Sequence, residues 1–215
     1  MPVALATPPN DPLYRVARPP DPLAWPDRRF IGGSRFDDLL DQFRVLYLAE
    51  RRLGCFIESI AGFRPDIQLL AQLRSVTGAS GLLPVAVVPR DWYTRCLVGQ
   101  LQVEPGQRWL DLRAPATLQT LRVELAGVVA TLGLPDLDVS AARGPSRALT
   151  RQIARWAFEH GFHGVAYRSR FADDVDCWAI FEGAAITPAG PPEAIASDDD
   201  DLQAAAQLFG LAIES

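Results

Sequence analysis

Residues 44–60 read RVLYLAERRLGCFIESI. Together with Phe43, the first half is apolar and aromatic and contains no turn residue, so FRVLYLAE reads as a buried strand. From Arg51 the period changes. Leu53, Phe56, Ile57 and Ile60 fall at i, i+3, i+4 and i+7, the spacing of one helical face, and predict a helix from Arg51 to about Phe63. One carboxylate, Glu58, sits inside this segment. At about 100° per residue it points away from the apolar stripe, beside Arg51, Cys55 and Gly62. A solvated helix face normally carries several charges, whereas this one offers small residues and a single acid after its first turn. Two readings follow: an acid that is exposed or paired with Arg51, or a carboxylate facing a closely covered cleft.

Outward from this stretch, strands and helices mix without strict alternation. Residues 1–11 read as a loose arm. PLYRVAR predicts a first strand, and PPDPLAWPDRRFIGGSRFDD a long loop with four prolines and a Gly-Gly pair. PDIQLLAQLRSVTG predicts a second helix stopped near Gly78, and LLPVAVVP a strand. YTRCLVGQLQV and QRWLDLR predict two more strands around the turn EPGQ. APATLQTLRVELAGVVATLG and GPSRALTRQIARWAFEHG predict helices, with Gly161 ending the second. FHGVAYRSR and CWAIFEG predict strands. A last helix is expected over about 198–213, its four aspartates capping the N-terminus and complementing the dipole rather than holding a metal. The pattern is α+β: a single domain, residues 12–215, with a mixed sheet core and surrounding helices.

Composition narrows the chemistry. The 215 residues are 48% hydrophobic and 22% charged, enough for a sizeable core. The net charge of −5 argues against a nucleic-acid backbone as partner. All 21 basic residues are arginine, so there is no Schiff-base amine and no phosphate-loop lysine. Any anion must be held by Arg, backbone N–H groups or a helix start. Cys55, Cys96 and Cys177 fit neither a metal spacing nor a disulfide framework, which points to a reducing cytoplasm. No run approaches a membrane span.

Four other residues invite chemistry. Arg15 interrupts the apolar LYRV strand; it is either a surface residue or an inward cation needing an anionic partner. Arg35 follows Gly32-Gly33-Ser34, a bend that could cradle an anion. Ser169 ends a strand between Arg168 and Arg170, as a plain polar terminus or as a hydrogen-bonding partner for a substrate hydroxyl or phosphate. Tyr47 closes the apolar run that precedes Glu58. His160 reads as a helix-end residue, and no Ser-His-Asp arrangement can be picked out.

LYRV, GGSRFDD followed by RVLYLAE, CFIESIAGFRP, and HGVAYRSR followed by CWAIFEG occur in an order and approximate spacing that resemble the RES domain family. The resemblance spans roughly residues 12–183. One departure is Ser34-Arg35-Phe36 where the family commonly has a GRW-like triplet. The resemblance implies a fold like that of ADP-ribosyltransferases, with the name-giving residues at Arg15, Glu58 and Ser169 and an accompanying aromatic at Tyr47. It implies destruction of NAD⁺ at the nicotinamide–ribose bond by phosphorolysis or hydrolysis, as the toxin of a toxin–antitoxin pair whose partner is a small helical DNA-binding protein. Glu58, Arg15 and Ser169 would be catalytic; Arg15, Arg35, Tyr47 and Ser169 would bind substrate. No cofactor is implied beyond NAD⁺ as substrate and inorganic phosphate as co-substrate. Protein ADP-ribosylation and non-catalytic NAD binding are the alternatives.

Overall fold

A computed structural model describes residues 2–77 and 85–215. Its core is a mixed sheet built from β1 (Leu13–Ala17), β2 (Val45–Ala49), β4 (Leu97–Val103), β5 (Trp109–Asp111), β6 (Gly164–Arg168), β7 (Asp176–Phe181) and β8 (Ile186–Pro188). The order is β5-β6-β7-β2-β1-β4-β8, and a short β9 (Glu193–Ala194) also joins β4. Within this sheet, among the described residues, only the β5–β6 pairing is parallel. A separate two-stranded parallel sheet pairs β3 (Val87–Val88) with β10 (Ala212–Ile213).

Period-two alternation sends side chains to two cores. From β2, Val45 and Ala49 enter the larger core while Leu46 and Leu48 enter the smaller one. β7 divides likewise, with Cys177, Ala179 and Phe181 on one side and Trp178 and Ile180 on the other. Helix α1 (Arg52–Ile60) covers the larger face. Gly54 lets it sit close, because a Cβ there would stand 2.9 Å from both Ala49 Cβ and Val175 Cγ1.

The remaining helices are α2 (Ile67–Thr77), α3 (Arg90–Thr94), α4 (Pro115–Glu124), α5 (Ala126–Thr131), α6 (Val139–Arg143), α7 (Arg147–Glu159) and α8 (Asp200–Phe209). Asp199 caps α8 by accepting from the amides of Asp201 and Leu202, and both Asp199 and Asp201 pair with Arg52 at the start of α1. The acidic run therefore caps a helix, as expected, and fastens it to α1.

Several expectations need correction. The amino-terminal arm is not loose: Leu5 bridges Leu110, the Ala6 amide donates to the Trp109 carbonyl at 2.9 Å, and Ala6 is buried. Residues 90–94 are helical, so β4 starts at Leu97 rather than Tyr93. The helix expected over 114–133 breaks at Leu125. The last helix stops at Phe209 because Gly210 adopts a left-handed conformation, and Ala212–Ile213 become β10. Gly78 and residues 82–84 of LLPVAVVP lie outside the described residues. Among the described residues no helix is long and apolar enough to cross a membrane.

Candidate active site

The sheet is weakest at its centre. β1 and β2 share a single register position, Tyr14 opposite Ala49, whereas β1 pairs with β4 at five positions and β2 with β7 at five. A cleft of about 530 Å³ opens beside this junction, with Arg15 and Val16 on one lip and Tyr47 and Leu48 on the other. Its volume lies in the usual range for small-molecule sites. α1 supplies the wall with Cys55 and Glu58, and the short turn after it adds Gly62, completing the small-residue face seen in the sequence.

Glu58 is half-buried. Its Oε1 accepts a short hydrogen bond from the Ser169 hydroxyl, whose oxygen in turn accepts from the Phe171 amide at 3.0 Å. Burial pushes the Glu58 carboxyl above its ordinary range; the Ser169 bond and the charges of Arg35 and Arg170 pull the other way without cancelling it. Arg51 does not pair with it, because its guanidinium goes to Asp174 at 2.6 Å.

Ser169 is fully buried and does not reach the cleft wall. Its hydroxyl is bonded to the Glu58 carboxylate.

Arg15 is held by backbone. Its Nη1 donates to the Pro22 and Ala24 carbonyls, from the loop that covers this end of β1. That loop closes tightly because position 99 opposite Arg15 is glycine; a Cβ there would stand 2.8 Å from Pro22 and 2.9 Å from Leu23. Burial, partly offset by Asp21, lowers the Arg15 guanidinium to about 10, so it remains charged at neutral pH.

Arg35 reaches across to the Ala142 carbonyl, and its Nε is buried without a hydrogen-bond partner among the described residues. The glycine bend before it is not an amide cradle. The amides of Gly32 and Ser34 both donate to Asp37 Oδ2, at 2.9 and 2.7 Å, while Arg147 and Arg151 take the bend's carbonyls. Tyr47 completes the lock. Its hydroxyl donates to Asp37 Oδ1 at 2.8 Å and accepts from the Phe36 amide at 2.9 Å, and its ring lines the cleft.

The structure therefore brings Arg15, Arg35, Tyr47 and Glu58 to one cleft. It adds Arg64, Arg147 and Arg170, which sequence reasoning passed over. Five arginines face a single carboxylate, and among the described residues none of the five is ion-paired; their bonds go to carbonyls and rings. Elsewhere arginines mostly meet acids, as at Arg44–Glu182 and Arg113–Asp111. The usable signal was an arginine beside an aromatic but without an acidic neighbour, as in Phe63-Arg64 and Arg170-Phe171. All three cysteine thiols are pushed upward by burial, so none is poised as a nucleophile.

The split mixed sheet thus forms a cleft that joins one half-buried carboxylate to arginines with no ion pair among the described residues, a charge arrangement suited to an anion. The family described as the RES domain matches residues 12–198, most of the chain, and the protein belongs to that family. Among solved structures, the chain is similar to one in the Mycobacterium tuberculosis MbcT–MbcA toxin–antitoxin complex. Identity is 14%, the TM-score is 0.54, and the match covers 95% of this chain and 92% of the other. That likeness is one of fold. No curated protein matches the sequence.

Proposed function

We propose that the protein degrades NAD⁺ by breaking the bond between nicotinamide and ribose, as the toxin of a toxin–antitoxin pair. The observation that carries this reading is Glu58: a carboxylate desolvated in a cleft of unpaired arginines and held by a buried serine. Membership of the RES domain family supports it, as does the fold shared with a protein of a toxin–antitoxin complex.

The chemistry suits these groups. As the C1′–N bond breaks, its electron pair moves onto the nicotinamide nitrogen, which leaves neutral, so no general acid is needed. Positive charge grows on the ribose. A fixed carboxylate stabilises that charge and acts more strongly when water is excluded. Glu58 takes this role, and Ser169 positions it. Arg15 and Arg35 clamp the diphosphate, where a guanidinium fork matches the oxyanions. The Tyr47 ring packs against nicotinamide or its ribose while its hydroxyl stays with the loop. An oxygen of water or inorganic phosphate then bonds to C1′, and the proton lost passes to Glu58 or solvent.

The test is incubation with NAD⁺, with and without phosphate, and identification of products. Free nicotinamide with ADP-ribose identifies hydrolysis, a phosphorylated ADP-ribose formed only with phosphate identifies phosphorolysis, and labelled protein identifies transfer. Glu58→Gln is expected to abolish most turnover in a folded protein; full turnover would overturn the mechanism. The antitoxin assignment predicts growth arrest on expression, relieved by a neighbouring gene product.

A further inference from the structure

Arg64 directly follows the short turn, Ala61–Phe63, that extends α1, and it lines the cleft. Its Nε donates to the Ala61 carbonyl at 3.0 Å. Its guanidinium carbon stands 4.7 Å from the ring centre of Phe171 and 4.8 Å from that of Phe209. The two rings meet edge to face, 5.9 Å apart at 83°. Aromatic faces attract a guanidinium and fix its plane without using its N–H donors. The two terminal nitrogens of Arg64 have no protein acceptor among the described residues. Arg52, twelve residues earlier, is instead consumed by Asp199, Asp201 and Glu193.

Phe209 is the last residue of α8, and α8 lies beyond the family match at residues 12–198. The start of α8 is tied to the start of α1 through Arg52, and its end meets Arg64 just past the end of α1. The two helices thus run alongside each other in the same direction, pinned at both ends. The ion pairs set the position of α8, and the Phe209 ring lies against the Arg64 guanidinium.

We propose that Arg64 is a further phosphate-binding residue of the cleft, and that α8, through Phe209, is the element that positions it. The inference rests on the cleft being the nucleotide site proposed above. The ligand chemistry is a phosphate oxyanion, supplied either by the diphosphate of a dinucleotide or by free inorganic phosphate.

Calorimetric titration of the full chain tests it with two probes that are not turned over, ADP and inorganic phosphate. Arg64→Met keeps the apolar stem between the rings and removes the donors. It is expected to weaken at least one probe by about tenfold, the scale of a lost charge-assisted hydrogen bond. Loss confined to ADP places Arg64 on the diphosphate, and loss confined to inorganic phosphate places it on the free anion. Phe209→Ala is expected to weaken the same probe by about threefold, Phe209→Trp to restore it, and the double variant to bind no worse than Arg64→Met alone. Should Phe209→Ala fail to fold, Phe209→Leu keeps the apolar packing and removes only the ring. Unchanged affinity for both probes in Arg64→Met, or wild-type protein that binds neither, overturns the proposal. Additive losses in the double variant overturn the positioning part. Failure of the NAD⁺ reading is seen separately, as absence of nicotinamide release by the wild type.

Discussion

Glu58 carries a cost that its neighbours only partly offset. Burial raises its pKa, so in the folded chain protonation is favoured relative to the unfolded chain. A raised pKa gives stability that is full below the unfolded value and is lost as pH rises through the folded one. At neutral pH the carboxylate therefore opposes folding. Glu58→Gln, which can still accept from Ser169, is expected to unfold at a higher temperature than wild type at pH 7, with the gap closing in acid. In a chain of this length each 1 kcal/mol moves the melting temperature by about 2–4 °C, so the direction of the change is readable in a thermal melt. A lower melting temperature at pH 7 would show that the acid stabilises the fold instead. Ser169→Ala removes a bond that favours the charged form, so the pKa rises further. In the proposed mechanism the carboxylate is the active form, so the acid limb of the kcat/KM profile is expected to move to higher pH. An unmoved limb would separate Ser169 from the acid. Arg15 and Glu58 were legible in the sequence because each breaks an apolar pattern. The hidden position of Ser169 was not: its hydroxyl meets a residue 111 positions away, a distance no local pattern spans.

At the scale of elements, legibility followed burial. β2, α1, β6 and β7 were readable because their periodicity is imposed by a face packed on the core. Short edge pieces such as β8, β9 and β10 exist only because a neighbouring strand offers hydrogen bonds, so their own residues carry little signal. The GGSRFDD loop was seen as an anion cradle because glycine beside arginine fits one. Its amides are in fact spent on Asp37, and the loop serves to present the Arg35 side chain. Tyr47 is the bolt of that loop. Tyr47→Phe leaves the Phe36 amide and one Asp37 oxygen without their partner, a loss of about 1–3 kcal/mol when such groups are buried. The expected outcome is a melting temperature lower by several degrees together with weaker NAD⁺ binding, because Arg35 loses its support. Activity lost at unchanged melting temperature would instead assign the hydroxyl to substrate.

Over the whole molecule, the cleft results from two sheet halves that meet at one residue pair, β1-β4-β8 on one side and β2-β7-β6-β5 on the other. No segment of sequence announces that junction, because register between distant strands is settled by packing on both faces. Charge shows the same separation of scales. The chain is net acidic at −5, yet the cleft gathers around one carboxylate five arginines that have no ion pair among the described residues. An acidic exterior repels a dinucleotide of net negative charge, while a concave basic site focuses its field outward and draws the ligand in. The focused field should dominate at short range and be screened by salt. Raising ionic strength from about 0.1 M to 1 M shortens the screening length from about 10 Å to 3 Å. The expected result is a fall in kcat/KM for NAD⁺ on the order of tenfold, carried by KM. Melting temperature should change little, because exposed pairs such as Arg28–Asp41 contribute weakly. Arg147→Gln, which removes one exposed cleft charge, should flatten the salt dependence. If kcat/KM is flat across that range in the wild type, the arginines act only after contact, and the cleft does not gather its substrate through its field.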